Sequence, residues 1–382
     1  MHASATLVHN LKCHTDEVER LLFSPDGKTL AVSDEFFITL WDVETGSLRS
    51  KSEETDDMYF EIAFSPNSKY IAAASDEGHG RIWNTETGRL EHTLSVEDER
   101  MLSLAFSADS KMIATGSEVL RVWDVATGGL LHTLPAPGDH SLSFAAVYER
   151  NEWPAQICTV SFSPDNKWLI SANPDTRMVC IWDTETWKLE RTIREYTAFF
   201  SPDGKHLAVP TNERKSVQIY NTLTWQLQGT LENGETAIFP QVFSPDSKSF
   251  VTKSGRQTKL WSIENGEVIK TFTGAPPSGN HREECCTVFD RAQEVCKLAF
   301  SPDGKILMTG AELCSLRFWD VENEDLLLEV THKDGARNPW NPQGFRNGPP
   351  AVEVLFGDGG GKVAIAFPDG SVRIWDVKWE TT

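Results

Sequence analysis

The sequence contains no uninterrupted apolar run of about 18 residues, the length a membrane-spanning helix needs. Its opening, MHASATLVHN, has neither a basic segment nor an apolar stretch of signal-peptide length, so no leader is expected. No run of Lys or Arg relieves the acidic excess: 36 basic against 56 acidic residues leave a net charge of −20. That balance argues against a nucleic-acid partner, because phosphate neutralisation by Lys and Arg supplies most of such affinity. There is no Cys-x-x-Cys pair, and the seven cysteines are scattered apart from Cys285, Cys286 and nearby Cys296. A disulfide framework is therefore not expected, and a reducing, cytoplasmic setting is. Gly-x-Ser-x-Gly, the phosphate-binding Gly-x-x-x-x-Gly-Lys-Ser/Thr and the dinucleotide fingerprint are all missing. Gly357-Asp358-Gly359-Gly360-Gly361-Lys362 precedes a strand-like stretch rather than a helix, so it reads as a loosened hairpin turn.

What the chain does have is 39% hydrophobic residues, enough for a packed core and too many for a disordered chain. At roughly 150 residues per domain its length predicts two or three domains, but an internal repeat replaces that estimate. An apolar stretch ending in Phe, followed by Ser-Pro-Asp-Gly-Lys or a close variant, places its Phe at 23, 64, 106, 162, 200, 243, 300 and 356. A second, alternating stretch ends at Trp41, Trp83, Trp123, Trp182, Tyr220, Trp261, Trp319 and Trp375. The two series interleave, one of each per unit, eight times.

Each unit reads as four short strands. In the first, Val18–Phe23 precedes the turn Ser24-Pro25-Asp26-Gly27, where Pro presets φ and Gly accepts a positive one. Thr29–Ser33 is a second strand, Ile38–Val43 a third with period two, and Glu44-Thr45-Gly46 turns into the fourth. Short strands at regular spacing, with no helical periodicity between them, predict an all-β closed architecture.

Trp-Asp stands at 41–42, 123–124, 182–183, 319–320 and 375–376, in register with the Ser-Pro-Asp-like turns. In these features the whole chain resembles the WD-repeat family. The resemblance implies one β-propeller over residues 1–382, with four-stranded blades arranged around a channel. Asn84 and Ser262 replace the Asp, unit five has Tyr220-Asn221, and the family's Gly-His dipeptide is nearly absent, Cys13-His14 being the closest match. Packing, rather than a His-to-Asp network, is expected to hold the blades.

After Trp375 too few residues remain for a fourth strand, whereas Ala5–Leu11 aligns with Gly88–Leu94. Residues 6–11 are therefore expected to supply the outer strand of the last blade and close a ring of eight. A seven-bladed ring with unit five as a decoration is the alternative.

Departures from the repeat locate candidate function. From the end of an outer strand to the next Phe, the interval is 12 in four units, as from Leu11 to Phe23. It grows to 28 from Leu134 to Phe162 and from Phe272 to Phe300, and to 26 from Val330 to Phe356, but shrinks to 7 from Ile193 to Phe200. The resemblance places all these connections on one face, called the top, so three insertions, 135–154, 274–292 and 331–350, enter blades four, seven and eight. They carry Phe144, Tyr148 and Trp153; Arg282 and Phe289; and Arg337, Trp340 and Phe345. Aromatic residues and Arg dominate binding hot spots, and these eight are the expected partner-binding residues. On the opposite face, Trp187 and Trp225 stand where most units have Gly, and with Trp168 they are expected to cover the seam between blades four and five, a small apolar contact patch being the alternative.

The resemblance implies a non-enzymatic scaffold for a protein or peptide; no cofactor and no membrane or nucleic-acid partner is expected, and the chain is expected to be a monomer or a subunit of a hetero-complex. The alternative is an enzyme or small-ligand binder whose pocket the insertions enclose. His140, His281 and His332, one per insertion and each beside acids, are its only candidate metal ligands, and no spacing forces them together.

Overall fold

The Ser-Pro-Asp-Gly-like turns join antiparallel strands, as their chemistry requires. In blade 1, Arg20–Phe23 pairs with Thr29–Ser33, then Ile38–Asp42, then Leu48–Lys51. The computed structural model describes the chain except residues 1–2, 14–17, 35–36, 54–57, 97–98, 136–156, 175, 212–214, 233–240, 255–256, 274–297, 312–314, 332–352, 358–360, 367–369 and 380–382. Across it the pattern of blade 1 recurs in eight four-stranded sheets, and no helix occurs among the described residues. The first strand starts at Arg20 rather than Val18, although the Glu19 N–H still bonds the Ser33 carbonyl at 2.8 Å.

Unit five is a full blade, which excludes the seven-bladed ring. Its strands are Phe199–Phe200, His206–Pro210, Ser216–Asn221 and Leu227–Glu232. The inner strand holds only two residues because the trimmed connection after Ile193 leaves little chain to pair.

Blade 8 is built from both ends of the sequence. Glu353–Phe356, Lys362–Ala366 and Ser371–Trp379 supply three strands, and Ala3–Lys12 pairs antiparallel with the last, from Ala3 opposite Trp379 to Lys12 opposite Ser371. The closing strand thus extends beyond the expected 6–11. A detail of register marks it as a genuine outer strand. In blades 1 to 7 the pairing of third and outer strands slips by one residue at the repeat aromatic, as where Val122 faces His132 but Trp123 faces Leu130. The N-terminal strand makes the same slip, with Ile374 facing His9 and Trp375 facing Leu7. The extra residue increases local twist and re-aims the side chain that follows it.

The core lies between blades rather than within them. Eight apolar clusters fill eight seams. At the closing seam, Leu11, Ala364, Val372 and Ile374 pack on Leu21, Leu30 and Val43 of blade 1; between blades 2 and 3, Ile82, Leu94 and Met101 meet Leu104, Ile113 and Trp123. Each sheet is consequently buried on both faces, so the second strands read as nearly continuous apolar runs, such as Thr29–Ser33, which is buried at every position. Burial pushes the thiols of Cys13 and Cys180 up to about 12, so both serve as packing groups rather than nucleophiles.

Hydrogen bonds pin the repeat aromatics. The indole Nε1 of Trp123, Trp261 and Trp319 donates to Thr115, Thr252 and Thr309 of the second strand, and that of Trp182 donates to Ser171. Trp41 uses Thr39 instead, and the Tyr220 hydroxyl donates to Gln218. In blade 8, Ile365 takes the place of the Thr, and the buried Trp375 Nε1 has no acceptor among the described residues.

Candidate interaction faces

Strand order divides the ring into two faces. On one lie the connections from each outer strand to the next inner strand, together with the turns between second and third strands. On the other lie the Ser-Pro-Asp-like turns and the turns that follow the repeat aromatics.

The three longest outer-to-inner connections run between Leu134 and Thr159, Thr273 and Leu298, and Thr331 and Glu353. They lead into blades 4, 7 and 8. Phe144, Tyr148, Trp153, Arg282, Phe289, Arg337, Trp340 and Phe345 all fall outside the described residues, as do His140, His281, His332, Cys285 and Cys286. Among the described residues, no group of three or more His, Cys, Asp or Glu is placed to hold a metal ion.

The short-loop side of this face carries a set of cation–aromatic pairs that the repeat arithmetic passed over. The Arg100 guanidinium lies 5.0 Å from the Phe60 ring centre, and Arg20 donates to the Phe60 carbonyl at 3.4 Å. Arg81 donates to the Tyr59 hydroxyl at 3.3 Å, Lys51 sits 3.5 Å from the Phe37 ring centre, and Arg177 lies over Tyr196 at 5.2 Å. Contacts of this kind contribute about 0.5–1 kcal/mol at exposed sites. Phe37 lies in an ordinary second-to-third-strand turn and Phe60 within the inner strand of blade 2, so loop length could not flag them, whereas Tyr196 lies in the shortened connection after Ile193. Arg or Lys recurring near an aromatic was the available signal. Between blades 2 and 3, Glu99 accepts two Arg121 hydrogen bonds, at 2.7 and 2.8 Å, and one from Ser117 at 2.6 Å.

The opposite face is a hydrogen-bonded girdle. Within each described Ser-Pro-Asp-like turn the Ser hydroxyl donates to the side chain two residues on, as Ser24 does to Asp26 at 2.6 Å, and accepts from the backbone five residues on. Burial opposes the charge on Asp26, Asp109, Asp165 and Asp203, but the Ser hydroxyl and a Lys backbone N–H outweigh it and hold these carboxyls below the usual range. At Asp246 the Ser244 hydrogen bond leads. These carboxylates repeat because the turn repeats, and they form no catalytic pair.

Neighbouring turns are also linked, through residues that break the Gly rule. Ser68, Ser110, Asn166 and Ser247 stand at the Gly position with φ of 61, 62, 59 and 60°. Each accepts a hydrogen bond from the preceding blade: from Asp26, Asn67 and Asp203 backbone N–H at 3.0 Å, and from Ala108 at 2.6 Å. Left-handed backbone costs a non-Gly residue roughly 1–2 kcal/mol, and a hydrogen bond returns about 1 kcal/mol. Ser110→Ala keeps the strain and loses the acceptor, whereas Ser110→Gly loses both. We therefore expect urea denaturation to show Ser110→Ala as the more destabilising of the two, an inversion of the usual order by about 1 kcal/mol.

A second set of links runs around the outside. The residue after the outer-strand bulge reaches the next blade's turn: His9 Nε2 donates to the Glu44 carbonyl at 2.9 Å and His92 Nε2 to that of Ala126 at 3.0 Å. Arg191 donates to the Trp225 carbonyl and Lys270 to that of Val321, at 3.0 and 2.8 Å. His9 lies so close to Gly46 (φ 67°) that a Cβ there would stand 2.5 Å from its ring. Blades 4 and 5 solve this differently. Trp187 (φ 56°) stacks on His132 with ring centres 4.3 Å apart, and Trp225 (φ 55°) packs edge-to-face on Trp168 at 5.0 Å. Trp225 is only 6% exposed and with Trp168 covers the seam between blades 4 and 5, as expected, whereas Trp187 departs from the expectation and packs at the seam between blades 3 and 4, where His132 lies.

Comparison with known proteins agrees with this architecture. Over 134 residues the chain is 24% identical to periodic tryptophan protein 2 of Saccharomyces cerevisiae, a match covering 35% of this chain and 13% of that protein. It therefore spans a small part of that relative's length. Among solved structures it is similar to the crystal structure of the computationally designed Ika8 protein, with a TM-score of 0.69, 18% identity, and coverage of 96% of this chain and 98% of that one. At that identity the likeness concerns the fold alone. Residues 5–42, 56–84, 88–124, 147–183 and 283–320 match the family described as WD domain, G-beta repeat. With five such matches in register with eight observed blades, the chain belongs to the WD-repeat family of β-propellers.

Proposed function

We propose that this protein is a non-enzymatic interaction scaffold that binds a protein or peptide on the face bearing the outer-to-inner connections. The observation that carries this reading is the placement of the three long connections, which leave a rigid ring on one face and enter blades 4, 7 and 8. Irregular loops held by a rigid framework are where binding residues concentrate. Trp153, Tyr148, Phe144, Trp340, Phe345, Phe289, Arg282 and Arg337 supply the aromatic and guanidinium groups that anchor interfaces. The cation–aromatic pairs around Phe60 and Tyr59 continue the same chemistry on the short-loop side. An acidic or apolar peptide suits such a surface, and the cytoplasm is the compartment this reading assigns.

The test is affinity capture from the native cell, comparing the wild type with a Trp153→Ala/Trp340→Ala variant by quantitative mass spectrometry. The expected result is loss of specifically captured proteins with an unchanged melting temperature. An identical captured set in the two would overturn the assignment of this face.

A further inference from the structure

We propose that the outer hairpin of blade 5 is a self-association surface, through which a second copy of this chain docks about a twofold axis. Apart from Glu232 at its very end, this hairpin carries no charged residue from Ser216 onward, in a chain of net charge −20. The other seven outer hairpins each contain charged residues; blade 1 alone has Asp42, Glu44, Arg49 and Lys51. At the turn position held by Glu44, Glu86, Glu185, Glu264 and Glu322 elsewhere, blade 5 has Leu223, and its side chain is 84% exposed.

The same hairpin carries a notch. At the register where His9, His92, Arg191 and Lys270 reach across to the next blade, blade 5 has Gly229. Among the described residues, a Cβ built there meets no atom within 4 Å, and one built at Gly266 of the blade 6 turn meets only Leu231, at 3.8 Å. An exposed apolar knob and an unfilled notch thus lie on one hairpin, with half-exposed Leu227 between them. A surface carrying both halves of a fit is self-complementary, which is the requirement of a twofold interface.

Charge selects the occupant. Two copies of an acidic chain that meet elsewhere bring acidic groups together, and like-charge juxtaposition opposes docking. On the blade 5 hairpin that opposition is smallest. A basic partner would instead be drawn to the acidic remainder of the surface. The expectation from the sequence is a monomer or a hetero-complex subunit; the hairpin favours a second copy, independently of what binds the opposite face.

Sedimentation velocity across a dilution series tests this with the full chain. The wild type is expected to shift from one-chain to two-chain mass as concentration rises, and to do so more readily at higher salt, which screens the residual repulsion. Leu223→Glu, which supplies the acid found in five other turns, and Gly229→His, which fills the notch as His9 and His92 do in blades 8 and 2, should both remain one chain. Their melting temperatures should match the wild type or exceed it, and Trp153→Ala/Trp340→Ala should leave the two-chain species intact. A wild type that stays single at every concentration and salt overturns the proposal. Variants that associate like the wild type overturn it as well. A single-chain wild type whose captured partners change with Leu223→Glu would instead assign the hairpin to a different protein.

Discussion

Deletion of residues 1–12 is expected to abolish the cooperative thermal transition of this protein and to drive it into aggregates. The strand Ala3–Lys12 supplies the whole outer edge of blade 8, so its loss leaves Ser371–Trp379 with a row of unpaired N–H and C=O groups. It also removes Leu11, 4% exposed, from the cluster that fills the seam between blades 8 and 1, and His9 from its bond to Glu44. Truncation of one buried Leu to Ala alone costs about 2–5 kcal/mol. Added to an open sheet edge, that loss approaches the 5–15 kcal/mol on the order of which whole domains are stable. Calorimetry and light scattering on the truncated chain give the readout, and Leu11→Ala should show the smaller, still cooperative loss. A synthetic peptide of residues 3–12 should restore part of the transition. If the truncated chain stayed monomeric with an unshifted melting temperature, the ring would not depend on its N-terminal strand.

Glu99→Gln is expected to lower stability by about 3 kcal/mol, the low end for breaking a buried ion pair, because some of each side chain still reaches water. The Glu99 and Arg121 side chains are 17% and 15% exposed, and the pair is bidentate with Ser117 as a third donor. Neutralising Glu99 leaves the guanidinium without its countercharge where only 15% of the Arg121 side chain reaches solvent. The double variant Glu99→Leu/Arg121→Leu should recover most of the loss, since two apolar residues need no pairing.

The pair also has a signature in pH. Burial raises the Glu99 carboxyl, but the Arg121 and Ser117 hydrogen bonds and the Arg121 charge outweigh it, so its pKa lies below the ordinary 4.5. A depressed carboxyl contributes stability that is fully present above the unfolded pKa and is lost as pH falls through the folded one. The difference between wild type and Glu99→Gln should therefore be constant near neutrality and shrink as pH drops below 4.5. A difference that persists unchanged into acid would mean that Glu99 acts through shape rather than charge.

Much of the framework was legible because its signals are local. The Ser-Pro-Asp-Gly turn can only reverse a hairpin, and Thr29–Ser33 is a strand at the predicted limits. The alignment of Ala5–Leu11 with Gly88–Leu94 located the closing strand, because a propeller blade needs the same outer strand wherever its residues come from. Other features depended on neighbours that the sequence does not place side by side. The Ser at 68, 110 and 247 looked like loose variants of Gly until the adjoining turns supplied the N–H groups that they accept. The bulge opposite each repeat aromatic was invisible because alternation continues on either side of it. Loop length drew attention to the insertions and away from Phe60, a strand residue whose partner Arg100 is distant in sequence.

The sequence by itself determined that the chain is all-β, that it repeats eight times, and that it closes on its N-terminal strand. Each of those follows from periodicity, turn chemistry and counting, which act within a single unit. Only the tertiary structure decided how the blades are held to one another: by seam clusters, by Ser and Asn in left-handed backbone, and by side chains reaching from one outer strand to the next turn. It also decided that Gly229, an unremarkable residue in the repeat, leaves one of those reaches unmade. Such links join residues about one blade apart, and their free energy depends on distance and burial that no single repeat contains.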